Sequence, residues 1–481
     1  MLAIYFISGF LLAGLVFVFP RKKSVHVITL IAILLQASFT AYAFFHRGET
    51  ELTYFTFDPL ALLFQGILVI ISSATFYHTI NYTKTIDHLN RSFFYASFIV
   101  LNLALTGVYA SNNLVITWIF IEITTLSVAY LINFHRSKTS LEATWKYIFV
   151  CSVGIALAYI GILFAGAASG IASSGNMSFA GLKSAFLDIN PIYLKIAFIL
   201  ILAGYSSKLE VFPLYTIGID ANYVSPAPVS AFLSTALVNG GFVAFFRIFE
   251  AMSGTIIGIW INHVLMITGV LSLLVAAIYV QKATNLKRVF AYSTVEHMGL
   301  VLIALSLGKA GIYIALLQIT FHSLIKSGLF YQTGILHRVL RSYKLVKSGG
   351  YLRMNAIGAV ILFTGVVLIC AVPPSALFRS EFLLLRELGL NNVLLFIIVA
   401  LLLTFIFYGV FQKNMKVIAG EQAHAGEPGD KPAWSEYITQ VILFSAAMVL
   451  CFYIPSFLDD LFRSVSGIPD GSFNSIFNTL A

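Results

Sequence analysis

Charged side chains interrupt several long apolar stretches of this 481-residue chain. Glu122 lies in the middle of one stretch, and Lys208 ends another. His322 and Lys326 lie inside a third stretch, and Glu381 follows a Pro-Pro pair in a fourth. An ionised side chain at the centre of a bilayer costs about 2.5–3.5 kcal/mol on insertion scales, so such residues usually pair or line a pathway for ions. We interpret these residues as parts of a proton or ion route through a membrane.

The overall composition supports a membrane location for these residues. Hydrophobic residues make up 59% of the chain, charged residues only 10%, and the mean hydropathy is +0.92. Apolar runs of about 20 residues, the length that spans a bilayer as a helix, follow one another almost without pause. These features exclude a set of soluble domains and predict an all-α polytopic membrane protein with a single transmembrane domain over 1–481.

The spacing of the apolar runs predicts about fourteen transmembrane helices. We place them at 2–19, 25–45, 58–80, 93–110, 113–134, 143–168, 191–208, 226–248, 256–281, 289–307, 310–336, 354–372, 393–411 and 437–458. The first of these is expected to be a retained helix and not a signal peptide, because the basic residues follow it and do not precede it. A polar loop at 412–436 is predicted to be a cytoplasmic connection.

Basic residues concentrate in alternate loops, which explains the net charge of +9 without invoking nucleic acid. The basic loops contain Arg21, Lys22, Lys23, Lys84, Arg91, Arg136, Lys138, Lys282, Lys287, Arg288, Arg338, Arg341, Lys344, Lys347 and Arg353. By the positive-inside rule, this pattern predicts an inner-membrane protein with both termini on the outer face.

Two predicted helices are interrupted by proline close to a charged residue. One break lies near 208–213 and the other near 373–381. Irregular backbone at membrane depth is tolerated where protein buries it or water lines it, and broken helices often carry ion sites in transporters. The breaks therefore favour the interpretation of Lys208 and Glu381 as functional residues.

Each of the central residues also has a structural alternative. Glu122 could lock two helices together by hydrogen bonding, and Lys208 could extend to the membrane surface. His322 and Lys326 are four residues apart and share one helix face, which suits a relay step, although a lone histidine would more often be a core residue. Glu381 could instead form a surface ion pair with Arg379.

Three further positions are predicted with less support from their surroundings. Glu296 and His297 follow a basic loop and could line an inner half-channel or the membrane interface. Lys146 follows Glu142 by one helical turn, so an exposed stabilising ion pair is a serious alternative to a place in the pathway.

The sequence contains no pattern that predicts catalysis by this chain. The motifs for a metal site, a phosphate-binding loop and a nucleophile elbow are absent from the sequence. Cys151, Cys370 and Cys451 have no metal or disulfide spacing. We expect no cofactor and no metal bound by this chain, and no redox centre of its own.

Several motifs together resemble the antiporter-like subunits of respiratory complex I, of Mrp-type sodium/proton antiporters and of energy-converting hydrogenases. The motifs are 118–132 around Glu122, Lys208 with Pro213, Ser225-Pro-Ala-Pro-Val-Ser-Ala231, 287–299, His322-Ser-Leu-Ile-Lys326 and Phe378-Arg-Ser-Glu381. The Val-Glu-His-Met-Gly form at 295–299 is most similar to the F-component subfamily of hydrogenase-4 and formate hydrogenlyase.

The resemblance implies a proton-translocating fold of two inverted five-helix repeats, at about 93–248 and 256–411, each with a broken helix. It implies that Glu122 pairs with Lys208, that Lys326 lies on a central hydrophilic axis and that Glu381 is on the exit side. It also implies neighbouring membrane subunits and a soluble redox arm that holds the metal centres.

The chain departs from the family pattern beyond Lys208. Two histidines of the family are replaced by Tyr215 and Asn222, while Asp220 is retained, and Asn239 stands where many relatives carry a lysine. One input relay is therefore expected to be altered or silent. No long lateral helix is predicted after 458, unlike in the terminal antiporter subunit of complex I.

The leading hypothesis is a proton-translocating subunit of a hydrogenase-4-type or complex I-related complex, which couples remote redox chemistry to proton or sodium movement. One alternative is a cation/proton antiporter subunit without a redox partner. Another is a structural membrane subunit that has lost conduction.

Overall fold

A computed structural model describes residues 1–82, 88–168, 177–421 and 432–468 of the chain, which are almost entirely helical. Twelve helices in this part of the chain are long and apolar enough to cross a membrane. Two shorter apolar helices, Leu2–Val18 and Ala356–Ile369, bring the number to fourteen. The predicted all-α polytopic fold and its helix count are confirmed.

The helices follow one another with short connections. The first group is α1 (Leu2–Val18), α2 (Lys22–Phe45), α3 (Pro59–Tyr82), α4 (His88–Ala110), α5 (Leu114–Ile132), α6 (Lys138–Ala168), α7 (Phe179–Ala185), α8 (Pro191–Leu209), α9 (Thr216–Val224) and α10 (Ala227–Ser253). The second group is α11 (Gly258–Lys282), α12 (Leu286–Leu305), α13 (Gly308–Leu340), α14 (Tyr351–Met354), α15 (Ala356–Ile369), α16 (Ala376–Asn391), α17 (Val393–Ala419), α18 (Ile438–Phe452) and α19 (Ser456–Ser466). Strands β1 (Thr50–Glu51) and β2 (Phe55–Thr56) form an antiparallel hairpin before α3.

Asparagine side chains define where several helices begin. An asparagine at the N-cap accepts hydrogen bonds from backbone N–H groups that have no partner within the helix. Asn113, Asn190, Asn285, Asn355 and Asn392 do this at the starts of α5, α8, α12, α15 and α17. These caps fix the helix starts in the sequence even though the spans themselves are apolar throughout.

The first predicted break separates α8 from α9. Helix α8 ends at Leu209, and Glu210 adopts a left-handed backbone conformation with φ of 54°. The N–H of Val211 still donates to the Ser206 carbonyl at 3.1 Å, and the N–H of Phe212 donates to the Ser272 hydroxyl at 3.0 Å. The N–H groups of the backbone that leaves the helix are thus satisfied by protein. Irregular backbone at membrane depth is tolerated only where it is satisfied in this way or lined by water.

The second predicted break separates α15 from α16. Ala371 has a positive φ of 51°, and the N-cap of α16 is Ser375. The Ser375 hydroxyl donates to the Leu368 carbonyl at 2.6 Å and accepts from the Leu377 N–H at 3.2 Å. One serine therefore ties the end of the first half-helix to the start of the second.

Helices α10 and α13 form the centre of the protein. Both are almost wholly buried, whereas α17 leaves most of its apolar surface on the outside. Helix α10 also contains a wide π-helical turn at Leu233–Leu237, where the Ala236 carbonyl accepts a hydrogen bond of 2.8 Å from the Tyr109 hydroxyl. Wide turns of this kind frequently occur at functional sites.

Several predicted boundaries differ from the structure. Helix α6 begins at Lys138 and not at 143, and α13 continues to Leu340 and not only to 336. Helix α17 continues to Ala419, because apolar side chains continue to alternate with the polar ones. Lys413 and Lys416 therefore lie on this helix and not in the predicted loop at 412–436. The last predicted span ends at Phe452, and a separate helix follows at Ser456–Ser466. The predicted loop charges Glu427, Asp430 and Lys431, and also Lys84, lie outside the described residues.

Candidate functional site

Helix α6 connects Glu122 and Lys208, the two charged residues of the first half. The Ser152 hydroxyl of α6 donates to Glu122 Oε1 at 2.9 Å. Lys208 at the end of α8 is only 2% exposed, and its Nζ donates to the Tyr147 hydroxyl of α6 at 3.2 Å. The Lys208 ammonium therefore points into the protein and does not extend to the membrane surface.

Close helix packing holds Lys208 in place. A Cβ atom at Gly241 of α10 would lie 2.8 Å from Lys208 Cβ and 2.9 Å from its backbone carbonyl. Only glycine leaves room for the backbones of α8 and α10 to approach this closely. Because α10 covers this face of α8, the lysine stem is shielded from lipid.

The second half collects Lys326, His322, His297, Glu296 and Glu381 into one buried group. Lys326 of α13 donates to the Ser293 hydroxyl of α12 at 3.0 Å. The His297 and His322 rings have centroids 5.1 Å apart, and His297 Nδ1 lies 3.6 Å from Glu381 Oε1. Helices α12, α13 and α16 thus bring together residues that are far apart in the sequence.

Gln318 connects the histidine to the carboxylate of the second broken helix. Its Nε2 lies 3.0 Å from His297 Nδ1 and donates to Glu381 Oε1 at 3.4 Å. The Ser380 hydroxyl donates to the Gln318 amide oxygen. Glu381 is therefore held by the buried network, and the alternative of a surface pair with Arg379 does not describe its contacts.

A cavity of about 340 Å³ opens beside the second break. Its lining includes the side chains of Ser293, Glu296, Glu381 and Thr404, together with Cys370 at the break itself. Most of the lining is apolar, but the carboxyl and hydroxyl groups on one side of the cavity could hold water by hydrogen bonding. Water here would connect the carboxylates to the outside of the helix bundle.

The centre of the bundle, between the two halves, is neutral. Asn239 of α10 and Ser323 of α13 exchange hydrogen bonds of 3.0 and 3.2 Å, and Asn239 is buried. Ser323 is one residue from His322. Among the described residues, the structure therefore places an amide and a hydroxyl group, and no titratable group, in the contact between Asn239 of α10 and Ser323 of α13.

Lys146 and Asp220 lie apart from the buried group. Lys146 forms a 2.5 Å ion pair with Glu142, and both side chains are more than half exposed. Asp220 accepts a 2.9 Å hydrogen bond from Arg288, with about a third of each side chain exposed. Lys146 is within electrostatic reach of Asp220 and Arg288, so these four residues form a charged surface cluster near the first break. For Lys146 the geometry favours the ion-pair alternative.

Lys287 and Glu210 are buried charged residues that the sequence patterns do not mark as parts of the site. Lys287 was assigned to a basic loop, but it lies in the first turn of α12, is 1% exposed, and donates to the Ser225 carbonyl. Glu210 lies in the first break and is 4% exposed. The only sequence signal for Glu210 was its position between Lys208 and Pro213.

Within the part of the chain that the structure describes, no group of histidine, cysteine, aspartate and glutamate side chains could hold a metal ion. Cys151, Cys370 and Cys451 are free thiols.

Residues 111–407 match the family model described as "NADH:quinone oxidoreductase/Mrp antiporter, TM". The chain belongs to this family. It is 31% identical over 429 residues to a hydrogenase-4 component F homolog of Methylacidiphilum infernorum, an alignment that covers 86% of this chain and 88% of the relative. The predicted resemblance to the antiporter-like subunits of hydrogenase-4, complex I and Mrp complexes is confirmed.

Two solved structures share the antiporter-like fold. A subunit of the archaeal membrane-bound sulfane sulfur reductase superposes with a TM-score of 0.84 at 22% identity, covering 97% of this chain and 96% of that one. A subunit of the Mrp complex from a Dietzia species superposes with a TM-score of 0.85 at 14% identity, covering 100% and 98%. Both are subunits of multi-subunit membrane complexes, which supports the prediction of membrane-subunit partners.

Proposed function

We propose that this chain moves protons through the membrane along its row of buried titratable side chains. It would act as the antiporter-like subunit of a hydrogenase-4-type complex, in which redox chemistry in other subunits drives the movement. The similarity to the hydrogenase-4 component F homolog supports the choice of complex.

The observation that carries the proposal is a set of charged groups without ion-pair partners, of which Lys208, Glu296 and Lys326 are buried and Glu122 is partly buried. Among the described residues, no ion pair within 4.0 Å involves Glu122, Lys208, Glu296 or Lys326. Structural charges inside a membrane protein are normally paired. Groups that stay unpaired are available to change their protonation when a neighbouring charge moves.

The proposed route has three parts. The Asp220–Arg288 pair forms its mouth beside the first break, next to the exposed Glu142–Lys146 ion pair. Glu122, Lys208, Lys326 and His322 form the buried axis, and Glu296, His297 and Glu381 with the adjoining cavity form the exit. The positive-inside pattern supports a mouth on the cytoplasmic face of the inner membrane, with both chain termini outside.

Purification of the intact complex through a tag on this chain tests the proposal. Mass spectrometry should identify further membrane subunits and a soluble redox arm with metal centres. Reconstituted into liposomes and supplied with the electron donor that those subunits specify, the complex should move protons. Glu122→Gln and Lys208→Ala should each reduce this movement strongly, whereas the exposed control variants Glu250→Gln and Lys183→Ala should not. Unchanged movement in both test variants would disprove conduction by this route.

A second candidate function is cation/proton exchange, with sodium as the coupled ion. The cavity beside the second break favours it, because two carboxylates and two hydroxyl groups line one space of about 340 Å³. Oxygen ligands of this kind suit hard cations. Uptake of radioactive sodium by the same liposomes, lost in Glu296→Gln, would support sodium as the transported ion.

A further inference from the structure

We propose that Glu210 is a proton-binding site that links Lys208 to Lys326 across the neutral centre of the bundle. The inference rests on the proposed function. It adds a residue for which neither the motifs nor the comparisons supply a role.

Glu210 lies at the first break, between α8 and α9. It is the first residue after α8, where the left-handed backbone turns its side chain away from the helix axis. A Cβ atom at Gly218 of α9 would lie 2.3 Å from the Glu210 carboxyl carbon, so the carboxylate lies directly against the α9 backbone. The break and the glycine together make room for this carboxylate inside the protein.

The Glu210 carboxylate accepts a hydrogen bond from a buried asparagine. Asn222 Nδ2 donates to Glu210 Oε1 at 3.3 Å, and Asn222 is fully buried. Asn222 occupies one of the two positions at which relatives carry a histidine. The buried Asn222 amide therefore holds one oxygen of the Glu210 carboxylate inside the protein.

The second oxygen of the Glu210 carboxylate is unsatisfied. Within the described residues, Glu210 Oε2 is buried and has no hydrogen-bond partner. A buried carboxylate that serves only structure normally has its oxygens satisfied, because an unpaired polar atom is costly. An oxygen without a partner is instead free to accept a proton or a water that delivers one.

Glu210 interacts electrostatically with residues in both halves of the protein. It lies within electrostatic range of Lys326 in the second half and of Tyr147, the residue that binds Lys208, in the first half. Asn239 and Ser323 do not ionise, so they cannot hold a proton between the halves as a lysine would. Glu210 is thus a titratable group within electrostatic range of residues on both sides of the neutral centre.

The transfer balances in two steps. The Lys208 ammonium gives one proton to the Glu210 carboxylate, by way of the Tyr147 hydroxyl or water, which leaves a neutral amine and a carboxylic acid. The carboxylic acid then gives the proton to a neutral Lys326 amine, which restores the carboxylate and leaves an ammonium. One proton moves from the first half to the second, and Glu210 returns to its starting state.

Proton movement by the intact reconstituted complex tests the inference in Glu210→Gln and Glu210→Asp. Glutamine retains the oxygen that accepts from Asn222 and the contact with Gly218, but it cannot carry a proton. We expect roughly a hundredfold loss, the lower end of what a proton-transferring side chain contributes. Aspartate keeps the carboxylate and should conduct well above the glutamine variant. The exposed carboxylate Glu250, changed to glutamine, is the matched control.

The outcomes separate this inference from the function on which it rests. Equal movement in Glu210→Asp and Glu210→Gln would show a structural role and overturn the inference. If Glu210→Gln conducts normally while Glu122→Gln and Lys208→Ala do not, the inference is wrong and the proposed function stands. If all three conduct normally, the proposed function fails. Should Glu210→Gln not assemble, Gly218→Ala offers a second test, because it keeps Glu210 but displaces the carboxylate; normal conduction in it would overturn the inference.

Discussion

Lys208 donates a hydrogen bond of 3.2 Å to the Tyr147 hydroxyl, and the same ammonium lies 5.1 Å from the centre of the Tyr147 ring. One tyrosine thus supplies both a hydrogen-bond acceptor and an aromatic surface to Lys208. Among the described residues, no carboxylate lies within 4.0 Å of the Lys208 ammonium. A cation over an aromatic ring is stabilised more strongly when it is desolvated. Tyr147 therefore offsets part of the cost of burying the Lys208 charge.

Tyr147→Phe separates these two contributions, because phenylalanine keeps the ring and loses the hydroxyl. A hydrogen bond to a charged group contributes about 1.5–3 kcal/mol, which corresponds to roughly a tenfold or larger change in an equilibrium. We expect proton movement in the reconstituted complex to fall by about this factor while assembly is retained. Movement at the wild-type rate would show that the hydroxyl has no part in the route. Tyr193→Phe, at a partly exposed position on α8, is the control.

Gly241→Ala should destabilise the protein. The added methyl group would meet the Lys208 stem and backbone at 2.8–2.9 Å, and a backbone cannot move aside as a flexible side chain can. Inserting a methyl group into a tightly packed site typically costs about 1–3 kcal/mol. The melting temperature of the purified complex should decrease. Gly14→Ala, where nothing lies within 4 Å, should leave it unchanged or slightly higher. Equal melting temperatures for the two variants would contradict the close packing of α8 and α10.

Asp58→Asn should affect stability and not conduction. Arg247 makes two hydrogen bonds to Asp58, at 2.5 and 3.1 Å, and a third to the Tyr109 carbonyl at 2.8 Å. The arginine is buried, but Asp58 is partly exposed, so we expect a loss of about 3 kcal/mol, the low end for breaking a buried pair. Thermal unfolding measures this loss. Proton movement per assembled complex should remain at the wild-type level, and a selective loss of movement would place the pair in the route.

Ala400→Phe should obstruct the cavity beside the second break. Ala400 of α17 lines this cavity, and a phenyl ring there would displace water from the space between Glu296 and Glu381. We expect proton movement to decrease several-fold with little change in stability. Leu401→Phe adds a ring on the same helix at a position that is 56% exposed, and it should have no effect. If both variants conduct equally, protons do not leave by this cavity.

Residues within long apolar spans were the most predictable part of the site. Glu122, His322 and Lys326 each lie in a helix that is mostly hydrophobic, so the cost of the charge is visible without tertiary structure. The two proline-containing breaks were predicted for a similar reason, because proline disrupts a helix wherever it folds. The structure places both breaks within a few residues of the predicted positions.

Residues near helix ends were less predictable, because their burial depends on what packs over them. Lys287 follows a basic segment and resembles a loop charge, yet Ser225 and the Tyr343 ring enclose its ammonium. Glu210 was hidden for the same reason, since only the return of α9 against the bundle buries it. Lys146 is the opposite case. Its sequence spacing to Glu142 suited both interpretations, and the exposed faces of the two side chains favour the ion pair.

The wide turn in α10 determines the rotational phase of the rest of that helix. A π-helical turn accommodates one additional residue, and one residue corresponds to about 100° of rotation around an α-helix. Asn239 faces Ser323, and Gly241 faces Lys208, only because this rotation has occurred between residues 233 and 237. The additional residue therefore sets the rotation of the second part of α10. It directs Asn239 towards α13 in one half of the protein and Gly241 towards α8 in the other.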